Sequence, residues 1–402
     1  MKLNFEKKNA KSAIVILNGR FNFCNTDVAQ IQLFQFEKAL KEIYGRSLVD
    51  FVSHPMKRDL NKVSNYKDIS ATDLNDYDEV FCYECSPNFF GGNMNSFNSE
   101  TLKKLAWYKG TIYYILSDPR FPCLNFAEII KYKAGLPSTF SIDGEPLTVD
   151  SNGKLAPNKF ISDDDLEQFS KNVFPKIITC FNGYDYDEYV KQYYSKKRSL
   201  NARTMVPENK DWCEFAFFED FAIDLQNKAD MFTDYPFEDK KYDLCYYGLN
   251  RRNERNKIIK ELYKNQEDSK LFIGFDDLEG IPNATRIDRT ERGELFSTIC
   301  KNSKATIVIG DFLHNNNCIT FRFFEAMLMD VVALVYDDYD SKHTLIKDEF
   351  LKSFIYVKTA EDVKDRLAKI RNDEALYKKI VALEREEAKR IIKYYQEKRD
   401  SL

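Results

Sequence analysis

Short, uninterrupted apolar runs recur along the chain, and they restrict its fold more than any other feature. In the first half they are Ala13–Leu17 (AIVIL), Leu48–Val52, Val80–Glu84 (VFCYE), Thr111–Leu116 (TIYYIL) and Lys176–Cys180. In the second half they are Leu244–Tyr247, Leu271–Phe275, Ala305–Ile309, Val331–Val335 (VVALV) and Phe354–Val357. Continuous runs this short read as strands covered on both faces. Parallel neighbours of that kind need crossovers, and the intervening segments have helical apolar spacing. These are Val28–Ile43, Glu100–Tyr108, Asp163–Phe169, Asp185–Ser195, a helix from Asn250 to Tyr263, Gly293–Cys300, Ala360–Ile370 and Glu374–Lys398. The predicted class is α/β. A chain of 402 residues suits two such domains better than one core. Phe232–Lys240 reads as their linker, so the domains are predicted at 1–235 and from 236 onward. Cys123–Phe160, with scattered Gly and Pro, reads as an insertion or lid.

Charge and cysteine usage exclude some classes of function. The net charge of −4 means that any nucleic-acid contact must come from local basic patches. The nine cysteines fall mostly within apolar strand patterns, as reduced core thiols do in a cytoplasmic protein. Cys82 and Cys85 form a CxxC, but in a strand residues three apart face opposite sides. With three histidines, a histidine-based zinc site is not expected, and no metal ligands are assigned. Met1–Ser12 is polar and basic rather than a signal peptide, and no apolar run approaches a membrane span. A cytoplasmic protein without membrane contact is expected.

Four stretches carry chemistry. Ile307–Met327 (IVIGDFLHNNNCITFRFFEAM) passes from a strand through Gly310 and Asp311 into a polar loop containing His314, then into a helix. Arg322 and Glu325 share one face of that helix. Loops at the carboxyl ends of parallel strands bind ligands. An Arg there suits phosphate, a Glu suits ribose hydroxyls and Asp311 suits a sugar; an ion pair at a helix start is the plainer reading. Gly248 follows a strand, and Arg251 and Arg255 open the next helix four residues apart. Such a junction can clamp a diphosphate, or it is a solvated basic helix start. Neither the P-loop nor the dinucleotide glycine pattern is present. Asp118, in Ser117-Asp-Pro-Arg120, can act as a general base beside a strand end or can cap a turn. Asn88-Phe-Phe-Gly-Gly92 can stack on a nucleobase or fold its rings onto the core.

Together these pieces resemble the DNA β-glucosyltransferase family of T-even bacteriophages. The resemblance runs through Asn75–Val80 (NDYDEV), Asn88–Gly92 (NFFGG), Tyr108–Pro122 (YKGTIYYILSDPRFP) and Asp243–Arg255 (DLCYYGLNRRNER). It continues through Ile307–Asp311, Ile319–Met327 and Asp337–Ile346 (DDYDSKHTLI). It implies the GT-B arrangement: two Rossmann-like domains facing across a deep cleft, the first taking DNA and the second (236–384) a UDP-sugar, with the C-terminal helix (385–402) returning to the first. The implied reaction moves glucose from UDP-glucose to the hydroxymethyl group of 5-hydroxymethylcytosine in duplex DNA. The anomeric centre inverts and the target base is flipped out. Asp118 matches the catalytic base. Gly248, Arg251 and Arg255 match residues around the UDP diphosphate, and Arg286 stands where the family has a Lys. Arg322 matches a phosphate-binding Arg, Glu325 the ribose-binding carboxylate and Asp311 an acid near the sugar. Asn88, Phe90 and Gly91 match the loop near the flipped base, and Arg120 a DNA-side Arg. The resemblance also implies a monomer, with Mg2+ or Mn2+ assisting product release.

Two departures fall near the sugar. Ala29 aligns with a family Glu that contacts the donor sugar, leaving Asp27 as the nearest acid. His314 replaces a Tyr. A pentose donor such as UDP-arabinose is therefore the rival to UDP-glucose. The same residues are also compatible with a transferase of this fold acting on a non-DNA acceptor, or with an inactive DNA-binding protein.

Overall fold

The computed structural model describes residues 8–16, 36–42, 44–53, 64–83, 96–116, 141–143, 145–146, 158–173, 176–179, 211–214, 233–250, 254–288, 292–310, 315–316 and 319–400. The chain forms two compact units. One comprises residues 1–181, 186–217 and 402, and the other residues 182–185 and 218–401.

The first unit contains strands β1 (Lys11–Ile16), β2 (Leu48–Ser53), β3 (Tyr66–Asp68), β4 (Glu79–Tyr83), β5 (Ser96–Phe97), β6 (Thr111–Leu116), β7 (Ser141–Ile142), β8 (Glu145–Pro146), β9 (Lys176–Thr179) and β10 (Asp211–Glu214). Seven of them form a sheet in the order β10-β9-β6-β4-β1-β2-β3, with every pair parallel. Counting only these strands, the order 3-2-1-4-5-6 of a doubly wound sheet is present, with one strand added. Its switch point lies between β1 and β4. Phe81 of β4 carries the core there, edge-on to Phe36 at 5.0 Å and stacked on Tyr113 at 5.0 Å. Glu79 is fully buried at the start of β4. Such a carboxylate persists only when it is paired. Arg46 Nε lies 2.6 Å from it, Ser12 Oγ donates to it at 2.7 Å and Lys8 Nζ lies at 3.0 Å.

Helix α1 (Ser99–Ala106) is capped by Asn98, whose side chain accepts from Thr101 N–H, and it packs on α2 (Asp163–Val173). Trp107 Nε1 donates to Asp165 at 2.8 Å. Part of the stretch expected to be irregular is ordered: β7 and β8 form an antiparallel hairpin, and β7 runs parallel to β5. Asp143, at positive φ in the hairpin turn, accepts from Ser99.

The second unit contains β11 (Tyr242–Tyr247), α3 (Glu254–Leu262), β12 (Lys270–Ile273), β13 (Ala284–Ile287), α4 (Arg292–Asn302), β14 (Ser303–Val308), α5 (Phe321–Leu328), β15 (Val332–Tyr336), α6 (Glu349–Ile355), β16 (Tyr356–Val357), α7 (Ala360–Ile370) and α8 (Glu374–Asp400). Its parallel sheet has the order β13-β12-β11-β14-β15-β16. That is again 3-2-1-4-5-6, with the switch point between β11 and β14. Phe354 and Ile355, expected in a strand, complete α6, and only Tyr356 and Val357 pair with β15. Capping by Asp348, whose side chain accepts from Leu351 N–H, fixes that helix.

The stretch expected to link the domains is bonded into the second unit. Tyr235 N–H donates to Asp330 at 2.9 Å, and Asp234 pairs with Arg385 at 3.0 Å. The buried Lys240 ammonium meets the Asp330 carboxylate at 2.9 Å and donates to the Asp330 and Cys300 carbonyls. The compact units accordingly divide near residue 217 rather than 235. Helix α8 lies along α5 and β15: Tyr377 Oη donates to Asp330 O, Arg385 Nε to Leu328 O, and Glu384 accepts from Ala333 N–H. Cys82, Cys245 and Cys300 are buried thiols; burial pushes Cys245 up to about 11 and Cys300 up to about 12, so both stay protonated. No helix among the described residues is long and apolar enough to cross a membrane.

Candidate functional site

The best-defined polar cluster sits at the switch point of the second sheet, at the carboxyl ends of its central strands. Strand β11 ends in Tyr246 and Tyr247, and Gly248 follows. Gly248 has φ +146°, a conformation side chains rarely adopt. A Cβ built there would stand 2.9 Å from Arg322 Nη2, 3.2 Å from Tyr246 Oη and 3.4 Å from Arg322 Nη1. The missing side chain is what admits Arg322, which comes from α5, beyond the next strand of the sheet.

Arg322 is held on several sides. Its Nη1 donates to the Tyr247 carbonyl. Its guanidinium lies 4.3 Å from the centre of the Tyr247 ring and 5.5 Å from that of Tyr246. Burial disfavours the charged form, but Tyr246, Tyr247 and Glu325 more than offset this, and its pKa rises. Arg255, on the first turns of α3, places its guanidinium 5.7 Å from the Tyr246 ring centre. One tyrosine therefore carries two cations, each gaining from the ring's negative face. Two fixed cations at a strand–helix junction form an anion site. The Gly248 N–H is not among its donors, because it is given to Ile273 O at 3.0 Å.

Glu325 is buried one turn along α5 from Arg322. The start of that helix is fixed from β15's following loop: Tyr339 Oη bonds Thr320 N at 2.7 Å and Thr320 Oγ1 at 3.1 Å. Its ring stacks on Phe323. The loop after β11 is tied to the loop after β12. Asn250 donates to Asp276 at 2.8 Å and Asn256 to Asp277 at 3.4 Å.

The structure thus brings together Gly248, Arg255, Arg322 and Glu325 in one unit. Arg286 lies two strands away on the edge strand β13, exposed and 3.2 Å from Asp288. Asp118, Arg120, Asn88, Phe90, Gly91, Arg251, Asp311 and His314 lie outside the described residues. Their flanking strands are described. In the chain, residues 88–92 come after β4, the strand that borders the first sheet's switch point, and Asp118 comes after β6. Sequence reasoning missed Tyr246 and Tyr247. Their apolar strand context read as core, and the pairing of a strand residue with an Arg more than seventy positions away leaves no spacing signal. Among the described residues, no group of three or more His, Cys, Asp or Glu could hold a metal ion.

Comparisons with known proteins agree with the motifs. Residues 17–163 match the family model of bacteriophage T4 beta-glucosyltransferase. The DNA beta-glucosyltransferase of Enterobacteria phage T4 is 26% identical over 320 residues, spanning 79% of this chain and 80% of that protein. Among solved structures, T4 phage BGT in complex with UDP and Mn2+ matches with a TM-score of 0.66 at 22% identity, covering 97% of this chain and 98% of that one. An alpha-glucosyltransferase in complex with UDP-glucose and DNA containing an abasic site matches with a TM-score of 0.53 at 11% identity, covering 95% of each chain. The two doubly wound sheets and these matches define the GT-B fold. Within that fold, the chain is similar to the phage T4 β-glucosyltransferase over the residues given above.

Proposed function

We propose that this protein transfers a sugar from a UDP-sugar to the hydroxymethyl group of 5-hydroxymethylcytosine in duplex DNA, with inversion at the anomeric carbon and the target base flipped out of the helix. The observation that carries the reading is the cluster of Arg255 and Arg322 on Tyr246 beside Gly248, at the switch point of a doubly wound sheet. That cluster suits a nucleoside diphosphate. The DNA half of the reading rests on the relative's name, DNA beta-glucosyltransferase, and on the NFFGG and SDPR motifs shared with that family.

The proposed chemistry is one in-line displacement. The Asp118 carboxylate takes the proton of the hydroxymethyl alcohol as its oxygen attacks the anomeric carbon. The bond to the diphosphate breaks, and UDP leaves with its charge stabilised by Arg251, Arg255 and Arg322. Glu325 accepts from the ribose hydroxyls, and Asp311 and His314 serve the sugar. Asn88, Phe90, Gly91 and Arg120 handle the base and the DNA. When bound, a divalent ion, Mg2+ or Mn2+, would supply charge for product release. Such ions are held largely by substrate phosphates, with few protein ligands, and no step here depends on one.

The donor is UDP-glucose or a related sugar. A UDP-pentose is the second reading, favoured by Ala29 where the family has a sugar-binding Glu and by His314 where it has a Tyr. Incubation of hydroxymethylcytosine DNA with mixed UDP-sugars, followed by mass spectrometry of the nucleosides, tests both. A hexose or pentose adduct on hydroxymethylcytidine is expected. Unmodified nucleosides with every donor would refute the assignment, and strong preference for UDP-glucose would remove the pentose.

A further inference from the structure

Beyond the two arginines, the anion site contains a polar group that no other described residue satisfies. Tyr246 is 1% exposed. Among the described residues, its hydroxyl has no hydrogen-bond partner. Buried hydroxyls are normally satisfied, so an orphan calls for an explanation. The neighbouring Tyr263 shows the ordinary case: equally buried, it donates to Cys245 O at 2.8 Å. The Tyr246 hydroxyl instead borders the space left by the missing side chain of Gly248. The same space is bordered by both terminal nitrogens of Arg322, at 2.9 and 3.4 Å from the point a Cβ would occupy, with the hydroxyl at 3.2 Å. Three hydrogen-bond donors therefore lie together against the bare Cα of Gly248.

We propose that the Tyr246 hydroxyl is a third donor of the diphosphate clamp, giving its hydrogen to a non-bridging oxygen of the bound nucleoside diphosphate. This rests on the UDP-sugar reading above and adds a binding residue to it. The chemistry fits. A diphosphate presents more acceptor oxygens than two guanidiniums can saturate, and a phenol O–H is a good donor to an anionic oxygen. Tyr246 has a second duty that does not involve its oxygen: its ring is the platform for Arg255 and Arg322. Replacing the phenol by a phenyl group separates the two roles.

The test is Tyr246→Phe in the full chain, titrated calorimetrically with UDP, UMP and uridine and melted without ligand. Loss of one hydrogen bond to a charged acceptor predicts UDP affinity about tenfold weaker or more. Uridine affinity should stay at the wild-type value. The unliganded variant should melt at or above the wild type, since an unsatisfied buried hydroxyl has been removed. UDP affinity equal to wild type overturns the proposal. A parallel loss of uridine affinity, or a lowered melting temperature without ligand, means a structural role and also overturns it. Failure of the wild-type protein to bind UDP would instead overturn the UDP-sugar reading, and this proposal with it.

Discussion

Arg322 Nη2 stands 2.9 Å from the point where a Cβ on Gly248 would lie, so the glycine and the arginine occupy their places only as a pair. The turn after β11 supplies one and helix α5 the other, and the parallel pairing of β11 with β14 brings them together. Neither has a role that can be altered without the other.

Gly248→Ala should therefore fail twice. The positive φ adds backbone strain on the order of 1–3 kcal/mol, and the new methyl group displaces the Arg322 guanidinium. The expected result is a lower melting temperature together with loss of the UDP-induced thermal shift. A variant that keeps the wild-type shift would show that Arg322 is not held where the clamp needs it.

Arg322→Lys separates charge from geometry. Lysine keeps the cation but loses the planar fork, the hydrogen bond to Tyr247 O and much of the stacking on two rings. UDP binding is expected to weaken about tenfold or more, close to the effect of Arg322→Ala. Calorimetry with UDP measures it. Affinity within twofold of wild type would remove Arg322 from the phosphate site.

Asp118→Ala should lower turnover on hydroxymethylcytosine DNA by roughly two to four orders of magnitude, the usual worth of a general base. The UDP affinity should be nearly unchanged, because the clamp is built by other elements, β11, α3 and α5. Single-turnover rates combined with UDP calorimetry distinguish the two effects. Equal losses in both would point to a structural rather than proton-accepting role.

Glu384 predicts a pH dependence of stability. Its side chain is fully buried, and one oxygen accepts from Ala333 N–H at 2.9 Å. Burial raises its pKa well above the usual 4.5. Above pH 4.5 the native state keeps a proton that the unfolded chain has lost. Stability should therefore fall as pH rises from about 4.5, by about 1.4 kcal/mol per unit, until the folded carboxyl ionises. Glu384→Gln keeps an acceptor for Ala333 and removes that slope. Urea unfolding of both proteins across this range checks it, and identical pH profiles would show that Glu384 titrates normally.

Much of this architecture is legible in the linear chain because buried parallel strands are continuous apolar words. Thr111–Leu116 and Ala360–Ile370 have the bounds the pattern predicts, and most other strands shift by one or two residues. The short edge strands Tyr66–Asp68 and Ala284–Ile287 escape notice: each has a single neighbour and keeps polar, partly exposed side chains, so it lacks the apolar signature. Phe354 and Ile355 mislead in the opposite direction. They are apolar because a helix buries them, and four apolar residues cannot reveal which element does so.

The amino-acid sequence by itself determined the α/β class, the two-unit organisation, and Gly248, Arg255, Arg322 and Glu325 as site candidates. Local periodicity and motif spacing are properties of neighbours in the chain, and these conclusions need nothing more. Only the tertiary structure decided that Tyr246 carries both guanidiniums, that Tyr339 fixes the start of α5, and that Lys240 closes on Asp330. Those contacts join residues far apart in the chain. They exist only once parallel strands have aligned their carboxyl ends, and no local pattern records them.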